Sequence, residues 1–560
     1  MSRRSPHRNQ IVIIPELVKQ RVENKPHAAR FFFYIANILY IPFYQTKFQG
    51  TPPFHRPTLV ALILYGLYKG NFSADKIIDM AEDSIGATWI LKGMSLPSAK
   101  TIGRVINNVL ENIDLIFYQV IKLCEAFELI GKERFFIDGT KTKANASKHK
   151  AMSFGYLCDK IDKSETEIED LMKTIIDCVT PQKDMDDKEL KKLIYEESKE
   201  IYAQAKSIHR KQLQQNQKLI FGSKKSVQSD NYNHETVSEN QLQIMNLIES
   251  NQDKEVLEDM DSIGHQASRL ETMTEAKDKL EDIYKKETDK DKVPEDKQIN
   301  FTDPESQIMV TKHNGVQQCY NNFGVVDDKA NIIVGTYTTN DPNDKKSLIP
   351  TIEDTIENIG TIKEITVGAD AGFFSADNIN YGNEKEINLY TSIPEAKSAY
   401  AKDKFEYDKE NDVYICPEDQ KLYPPKNPRE GSKTRRYKTD NCLHCESQSD
   451  CTRAKDGIRK IIRDLKNDPI REQATEKAKT EKGIEILTQR KSVPEPVWGN
   501  MQKQDGLIQL HYRGLDKADK EFKLRAVMHN LRKLLKVFIN NPEARKEIEN
   551  MGTYPSQAVG

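Results

Sequence analysis

The 560-residue sequence has no apolar run of the roughly 18–20 residues that a membrane-spanning helix needs. The longest candidate, from Phe31 to Tyr44, is interrupted by Asn37 and Pro42. The opening residues, MSRRSPHRNQ, are polar and basic and lack the apolar core of a secretory signal. We therefore expect a cytoplasmic protein in which the eight cysteines stay reduced.

Several motifs of common enzyme classes are also missing. The sequence contains neither a G-x-x-x-x-G-K-[ST] phosphate loop nor a G-x-G-x-x-G dinucleotide turn. It has no G-x-S-x-G nucleophile elbow either. ATP-driven, NAD-dependent and serine-hydrolase chemistry are therefore unsupported.

The net charge of the whole chain is small, but individual segments carry a large net charge. The net charge of −2 is made up of about +9 over residues 1–160, −19 over 161–450 and +8 over 451–560. Two basic ends around an acidic middle fit a polyanion such as DNA bound at the ends. Ordinary surface charge is the alternative interpretation.

The pattern of elements predicts an α/β protein, a mixed sheet with flanking helices, in several modules. Pro57 in a first helical turn and Ser73 and Ser98 as N-caps place helices in the first module, which is either a helix-turn-helix reader or a plain bundle. ERFFIDGTK (133–141) predicts a buried strand that a turn ends at Asp138-Gly139. The first predicted modules are an all-α, DNA-binding domain at 1–130 and the first strand of the sheet at 131–150. A charged helical hairpin or coiled-coil arm follows at 151–300, with a polar, disordered tip at 224–241. The remaining modules are the rest of the sheet at 301–395, a cysteine-rich lobe at 396–455, C-terminal helices at 456–545 and a tail at 546–560.

Acidic residues end two of the predicted strands. Asp138 lies beside Gly139, and Asp370 lies two residues before Gly372. Carboxylates on neighbouring strands can bind hard divalent cations, although Asp before Gly is also a common turn pair. Glu495, at the start of a predicted helix, is the best candidate for a third acid, with Glu521 as a rival. The helix dipole alone would also favour a glutamate in a first turn.

The motifs that carry these acids resemble a known family. IDGTKTKANASKHK, FTDPESQIM, VGADAGFFSADNI, VPEPVWGNM and HYRGLDKADKEFKLRAVMHNLRKL occur in the same order in bacterial insertion-sequence transposases with a DDE triad. TPPFHRPTLVALILYGLYKGNFSADKIIDMAEDS resembles the N-terminal helical domain of InsH-type transposases, and the resemblance spans residues 15 to 540.

This resemblance implies a ribonuclease H-like catalytic core with Asp138, Asp370 and Glu495 as the triad. It also implies Mg²⁺ (or Mn²⁺) as cofactor, double-stranded transposon ends and target DNA as partners, a homodimer in the synaptic complex, and association with the bacterial nucleoid. The basic residues expected to contact DNA are those of the motifs and of the last helix: Lys141, Lys143, Arg490, Lys491, Lys503, Arg532 and Lys533.

Two positions depart from the family pattern. Pro494 stands where valine is common before the glutamate, and Gln502 where lysine is common seven residues after it, with Lys503 one position further. These departures keep open the alternative of a decayed or repurposed DNA-binding protein. A metal-dependent nuclease without strand transfer is a further alternative.

Half of the cysteines are clustered. Cys416, Cys442, Cys445 and Cys451 follow the spacing C-x25-C-x2-C-x5-C. Four thiolates suit tetrahedral Zn²⁺, which would hold together a small, zinc-ribbon-like lobe with little core of its own. His444 is then a bystander.

Overall fold

The computed structural model describes residues 16–42, 54–178, 253–288, 292–311, 315–360 and 364–553, apart from 397, 428 and 430, together with scattered positions between 188 and 199. The chain divides into two compact units, Met1–Asn145 with Ile308–Gly560, and Ala146–Gln307. The predicted polar tip at 224–241 lies outside the described residues. Within the described ranges, no helix combines the length and the apolar character needed to cross a membrane.

The N-terminal part of the first unit is helical, as predicted. Pro57 lies in the first turn of its helix, and the hydroxyls of Ser73 and Ser98 accept hydrogen bonds from Lys76 N (3.4 Å) and Thr101 N (3.2 Å). The helices are α1 (Glu16–Glu23), α2 (Ala28–Ile38), α3 (Arg56–Tyr68), α4 (Ala74–Asp83), α5 (Ile85–Leu91), α6 (Ala99–Glu111) and α7 (Ile113–Ala126). Helix α3 is buried along its whole middle, so it serves as a central core helix.

Strand β1 (Arg134–Lys143) follows, and the chain then enters the second unit, which is built on a helical hairpin. Its elements are β2 (Ala151–Ser153), α8 (Phe154–Cys178), α9 (Asp253–Thr288) and β3 (Gln298–Asn300). Leu157 near the start of α8 packs with Leu280 near the end of α9, whereas Met172 packs with Met260. The two helices are therefore antiparallel, as the periodic charged segments predict.

The first unit resumes with a six-stranded mixed sheet. Strand β1 belongs to this sheet. The chain then adds β4 (Gln307–Thr311), β5 (Gly315–Asp327), β6 (Ile332–Thr339), α10 (Leu348–Ile359), β7 (Thr366–Ala369), α11 (Ala376–Glu384) and β8 (Asn388–Thr391). The strand order is β4-β5-β1-β7-β8, and β6 also pairs with β5. Strand β5 is antiparallel to β1 and β6, while β7 is parallel to β1 and β8. This arrangement is compatible with a ribonuclease H-like fold.

The predicted end of β1 at Asp138-Gly139 is wrong. The strand continues to Lys143, because β5 provides a partner along its full length, from Phe135↔Asp327 to Lys143↔Cys319. Gly139 is needed for packing rather than for a turn, since a Cβ there would lie 2.6 Å from the Phe323 ring. Asp138 is consequently held in the middle of a long strand.

The C-terminal part combines small sheets with a helical bundle. The short elements are β9 (Glu406–Asp408), β10 (Val413–Ile415), β11 (Lys421–Leu422), β12 (Thr434–Tyr437), α12 (Gln448–Cys451) and β13 (Ile461–Asp464). The longer helices are α13 (Asn467–Lys479), α14 (Glu481–Ser492), α15 (Pro494–Gln504), α16 (Leu515–Asn540) and α17 (Pro542–Thr553). The C-terminal helices predicted within 456–545 thus begin with three separate helices, α13 to α15, because Thr480 caps α14 by accepting from Gly483 N and Pro494 starts α15.

One continuous apolar core joins the N-terminal helices, the sheet and α16. Asn530, fully buried on α16, accepts from Ile333 N (2.9 Å) and donates to Ile333 O (2.8 Å). These bonds satisfy backbone groups of β6 and tie α16 to the sheet. Helix α16 is therefore anchored directly on the sheet.

Candidate active site

Strand register brings the two predicted aspartates together. The parallel pairing of β1 with β7 matches Phe136 with Gly368. Asp138 lies two residues after Phe136, and Asp370 lies two residues after Gly368. The two carboxylates are therefore neighbours. Asp370 directly follows β7, as predicted, and its carboxylate accepts from Gly372 N at 2.7 Å.

Asp138 lies in an environment that resists its ionisation. Burial raises the pKa of Asp138 to about 6, and the nearby Asp370 also raises it, whereas the Arg490 guanidinium and the Gly139 backbone oppose the shift. Arg490 Nη1 lies 3.8 Å from Asp138 Oδ1, and both side chains are largely buried. A poorly solvated carboxylate beside another acid is a position where a cation is strongly favoured.

Helix α15 brings Glu495 to the same place. Pro494 begins the helix, and Val497, Trp498 and Met501 pack its apolar face into the core. Glu495 lies in the first turn on the exposed side, so its carboxylate remains accessible. The sequence-based prediction that Glu495 starts a helix is confirmed.

All three acids line one open cavity of about 790 Å³. Lys141 and Lys143 from β1 and Lys503 from α15 line the same cavity, as does Gln502. Asp138, Asp370 and Glu495, which are far apart in the chain, thus share a cleft rimmed by basic residues. Such a cleft could accept a phosphodiester next to the carboxylates.

A fourth acid in the cavity, Asp344, was missed by the sequence interpretation. A Cβ at Gly372 would lie 2.7 Å from Asp344 Oδ2 and 3.0 Å from Asp370 Oδ1, so the two carboxylates border the same space. Asn321 donates to Asp344 Oδ1 at 2.8 Å. Burial, and to a smaller extent Asp370, raises the pKa of Asp344. The segment DPNDKK reads only as a turn, so nothing local singled it out.

Three other residues predicted to contact DNA are not part of the cavity lining: Lys491, Arg532 and Lys533. Lys491 is exposed in the last turn of α14, and Lys533 is half-buried on α16. Arg532 donates to Asp505 Oδ1 (3.0 Å) and to the carbonyl of Tyr68 (3.0 Å). These bonds give Arg532 a role inside the fold, and its predicted contact with DNA gains no support.

The rival acid Glu521 is also occupied inside the fold. It is 4% exposed and accepts from His511 N (2.8 Å) and Arg525 Nη2 (2.5 Å). Arg525 and the His511 side chain lower its pKa against the effect of burial. Glu521 is therefore a structural carboxylate, and Glu495 is the acid that reaches the cavity.

The four clustered cysteines surround a second, very small cavity. Cys416, Cys442, Cys445 and Cys451 all line a space of about 20 Å³. Gln420 N donates to Cys416 Sγ at 3.3 Å, and the thiol of Cys451 has its pKa raised, chiefly by burial and also by the three other sulfurs. The space is the size of one small occupant.

Residues 415–535 match the family model of the transposase DDE domain. The match includes the four clustered cysteines and Glu495, whereas Asp138 and Asp370 lie before it in the chain. It supports an enzyme of the transposase type that acts on DNA. Comparison with curated proteins and with solved structures gives no significant match.

Among the described residues, no three His, Cys, Asp or Glu side chains are already grouped tightly enough to hold a metal ion. The donor chemistry nevertheless fits two kinds of ion. The open cavity offers carboxylate oxygens, which suit Mg²⁺, and the small cavity offers four sulfurs, which suit Zn²⁺.

Proposed function

We propose that this protein is a DDE transposase that cleaves transposon ends and joins them to target DNA by two-metal phosphoryl transfer. The observation that carries the proposal is the single cavity lined by Asp138, Asp370 and Glu495 together with Lys141 and Lys143. The match to a transposase DDE domain, which includes Glu495, supports the same function.

In this proposal Asp138, Asp370 and Glu495 hold the divalent ions. When bound, the ions would neutralise phosphate charge and activate the attacking water or hydroxyl. The three side chains contribute differently. Asp138 and Asp370 are fixed by the sheet, whereas Glu495 is exposed on the first turn of α15 and can adjust to the DNA.

Lys141, Lys143 and Lys503 hold the DNA backbone near these acids. Each lies on the cavity lining, and lysine is suited to phosphate as a mobile point charge. Lys491, exposed in the last turn of α14, adds a further positive charge outside the cavity lining. The N-terminal helices, proposed as an InsH-like DNA-binding domain, and a homodimer that pairs two ends complete the proposed assembly.

The test is a cleavage and joining assay on the full chain with Mg²⁺. The substrate is a plasmid that carries the coding sequence with the DNA flanking it on both sides, so that the element's own ends are present. We expect new 3′ ends at the element boundary, followed by products joined to a target plasmid. Cleavage without joining would identify a nuclease, and binding without cleavage a non-catalytic DNA-binding protein; either result overturns the proposal.

Matched variants make the assignment specific. Asp138→Asn, Asp370→Asn and Glu495→Gln should each abolish cleavage while DNA binding persists. Glu481→Gln is the control, because Glu481 is an exposed glutamate in the first turn of α14, next to the helix that carries Glu495. Normal cleavage by Asp138→Asn would remove the basis of the mechanism.

For the cysteine cluster we propose a structural Zn²⁺ held by Cys416, Cys442, Cys445 and Cys451, with His444 outside the ligand set. The four sulfurs around one ion-sized space support it. Elemental analysis of the purified chain should give about one zinc per chain. Cys442→Ser should lose the metal, whereas Cys158→Ser, a half-buried thiol of the other unit, should keep it. Equal zinc in both variants would refute the site.

A further inference from the structure

The indole N–H of Trp498 is a polar group near the acids that has no part in the proposed metal binding or DNA binding. Trp498 is 5% exposed, and its indole Nε1 has no hydrogen-bond partner of normal geometry within the described part of the chain. A buried N–H without a partner is destabilising, so its retention calls for an explanation.

The ring of Trp498 is held tightly in place. A Cβ at Gly324 would lie 2.5 Å from Cη2 of Trp498, so only glycine leaves room for the ring against β5. On the other side, the Phe522 ring of α16 lies 6.0 Å away, centroid to centroid. The indole cannot swing away to find another acceptor without losing this packing.

The same packing puts the indole next to the catalytic strand. Gly324 is the residue that pairs with Asp138 across β1 and β5, so a ring seated on Gly324 lies beside Asp138. Among the effects on the pKa of Asp138, burial is the largest and raises it, while the donor group of Trp498 is the smallest and lowers it. Trp498 is also three residues after Glu495, so one helix presents both groups to the site.

We propose that Trp498 is a positioning residue, whose indole N–H holds one oxygen of Asp138 so that the other faces the metal. An indole suits this role because it donates one hydrogen bond, carries no charge and cannot bind the ion itself. Arg490, at 3.8 Å, supplies positive charge to Asp138 but competes electrostatically with a cation. Donors of this kind behind a ligand typically change metal affinity or activity by 10–100-fold.

The inference rests on the proposed function, and Trp498→Phe tests it, because that change removes the N–H and keeps most of the ring. We expect the Mg²⁺ concentration for half-maximal cleavage to rise about tenfold, with the melting temperature nearly unchanged. Trp89→Phe is the matched control. Trp89 is also buried, and it donates to Glu23 Oε1 at 3.0 Å, in the N-terminal helical part of the fold. The control should keep the wild-type Mg²⁺ dependence.

A second measurement leaves Trp498 intact. The chain has two tryptophans, so in Trp89→Phe the fluorescence comes from Trp498 alone. Titration with Mn²⁺, without DNA, should quench this emission to saturation, and adding Asp138→Asn should abolish the saturable quenching. Unquenched emission, or an unchanged Mg²⁺ dependence in Trp498→Phe, would overturn the inference. If Asp138→Asn still cleaves DNA, it is instead the proposed function that fails.

Discussion

Replacing Asp138 with asparagine should make the metal-free protein more stable while it destroys activity. Burial raises the pKa of this carboxyl from 3.8 to about 6, and its side chain is only 17% exposed. A shift of about two pKa units corresponds to roughly 3 kcal/mol of free energy of unfolding. Asparagine resembles the protonated acid, so the variant avoids burying the charge.

The pH dependence of this gain has a definite sign. Because the pKa is higher in the folded state, the protonated acid stabilises the fold below about pH 4, and this contribution is lost as the pH rises through about 6. The two proteins should therefore unfold alike below about pH 4, and the advantage of Asp138→Asn should grow to its full value above about pH 6.

The assay is calorimetric melting of the full chain in EDTA at several pH values. In a chain of this size several transitions are expected, so the relevant one is the transition that added Mg²⁺ raises in the wild type. Near pH 8 the midpoint temperature of this transition should be roughly 3–6 °C higher in Asp138→Asn than in wild type, and it should not change when Mg²⁺ is added. Asp516→Asn, which removes a carboxylate that is 73% exposed, should change little at any pH. A variant less stable than wild type near pH 8 in EDTA would refute the reasoning.

Three further results are expected. At low Mg²⁺ the cleavage rate should fall as the pH drops below about 6, and this fall should move to lower pH as the Mg²⁺ concentration rises, because protons and the ion compete for Asp138. A pH–rate profile that does not change with the Mg²⁺ concentration would contradict this. Asp344→Asn can still accept from Asn321, so the chain should fold normally, but cleavage should need several-fold more Mg²⁺, as measured by a metal titration against wild type. Gln502→Lys adds a cation to the cavity lining, so DNA affinity should become more salt-dependent, with a log–log slope steeper by about 1; an unchanged slope would mean that this position does not face phosphate.

The local elements could be predicted because their signals are local. Ser73 and Ser98 cap helices where the sequence places them. The end of β1 could not be predicted in this way, since it depends on the length of β5, a strand encoded about 180 residues later.

The charge pattern of the sequence could not show which basic residues line the cavity. Lys141, Lys143 and Lys503 line the cavity, while Arg532, equally basic in the sequence, bonds to Asp505 and Tyr68. A side chain's charge is visible in the sequence, but whether it meets solvent, DNA or an internal acceptor depends on packing against distant segments.

The sequence by itself determined the mixed α/β composition, most helix and strand positions, the clustered cysteines and the identity of three candidate acids. Only the tertiary structure decided that Asp138 and Asp370 are in register, that α15 turns Glu495 towards them, and that Asp344 and Trp498 join the site. The physical reason is that helices and strands follow from short-range periodicity. The meeting of side chains from distant parts of the chain follows instead from strand pairing and close packing, which no local pattern encodes.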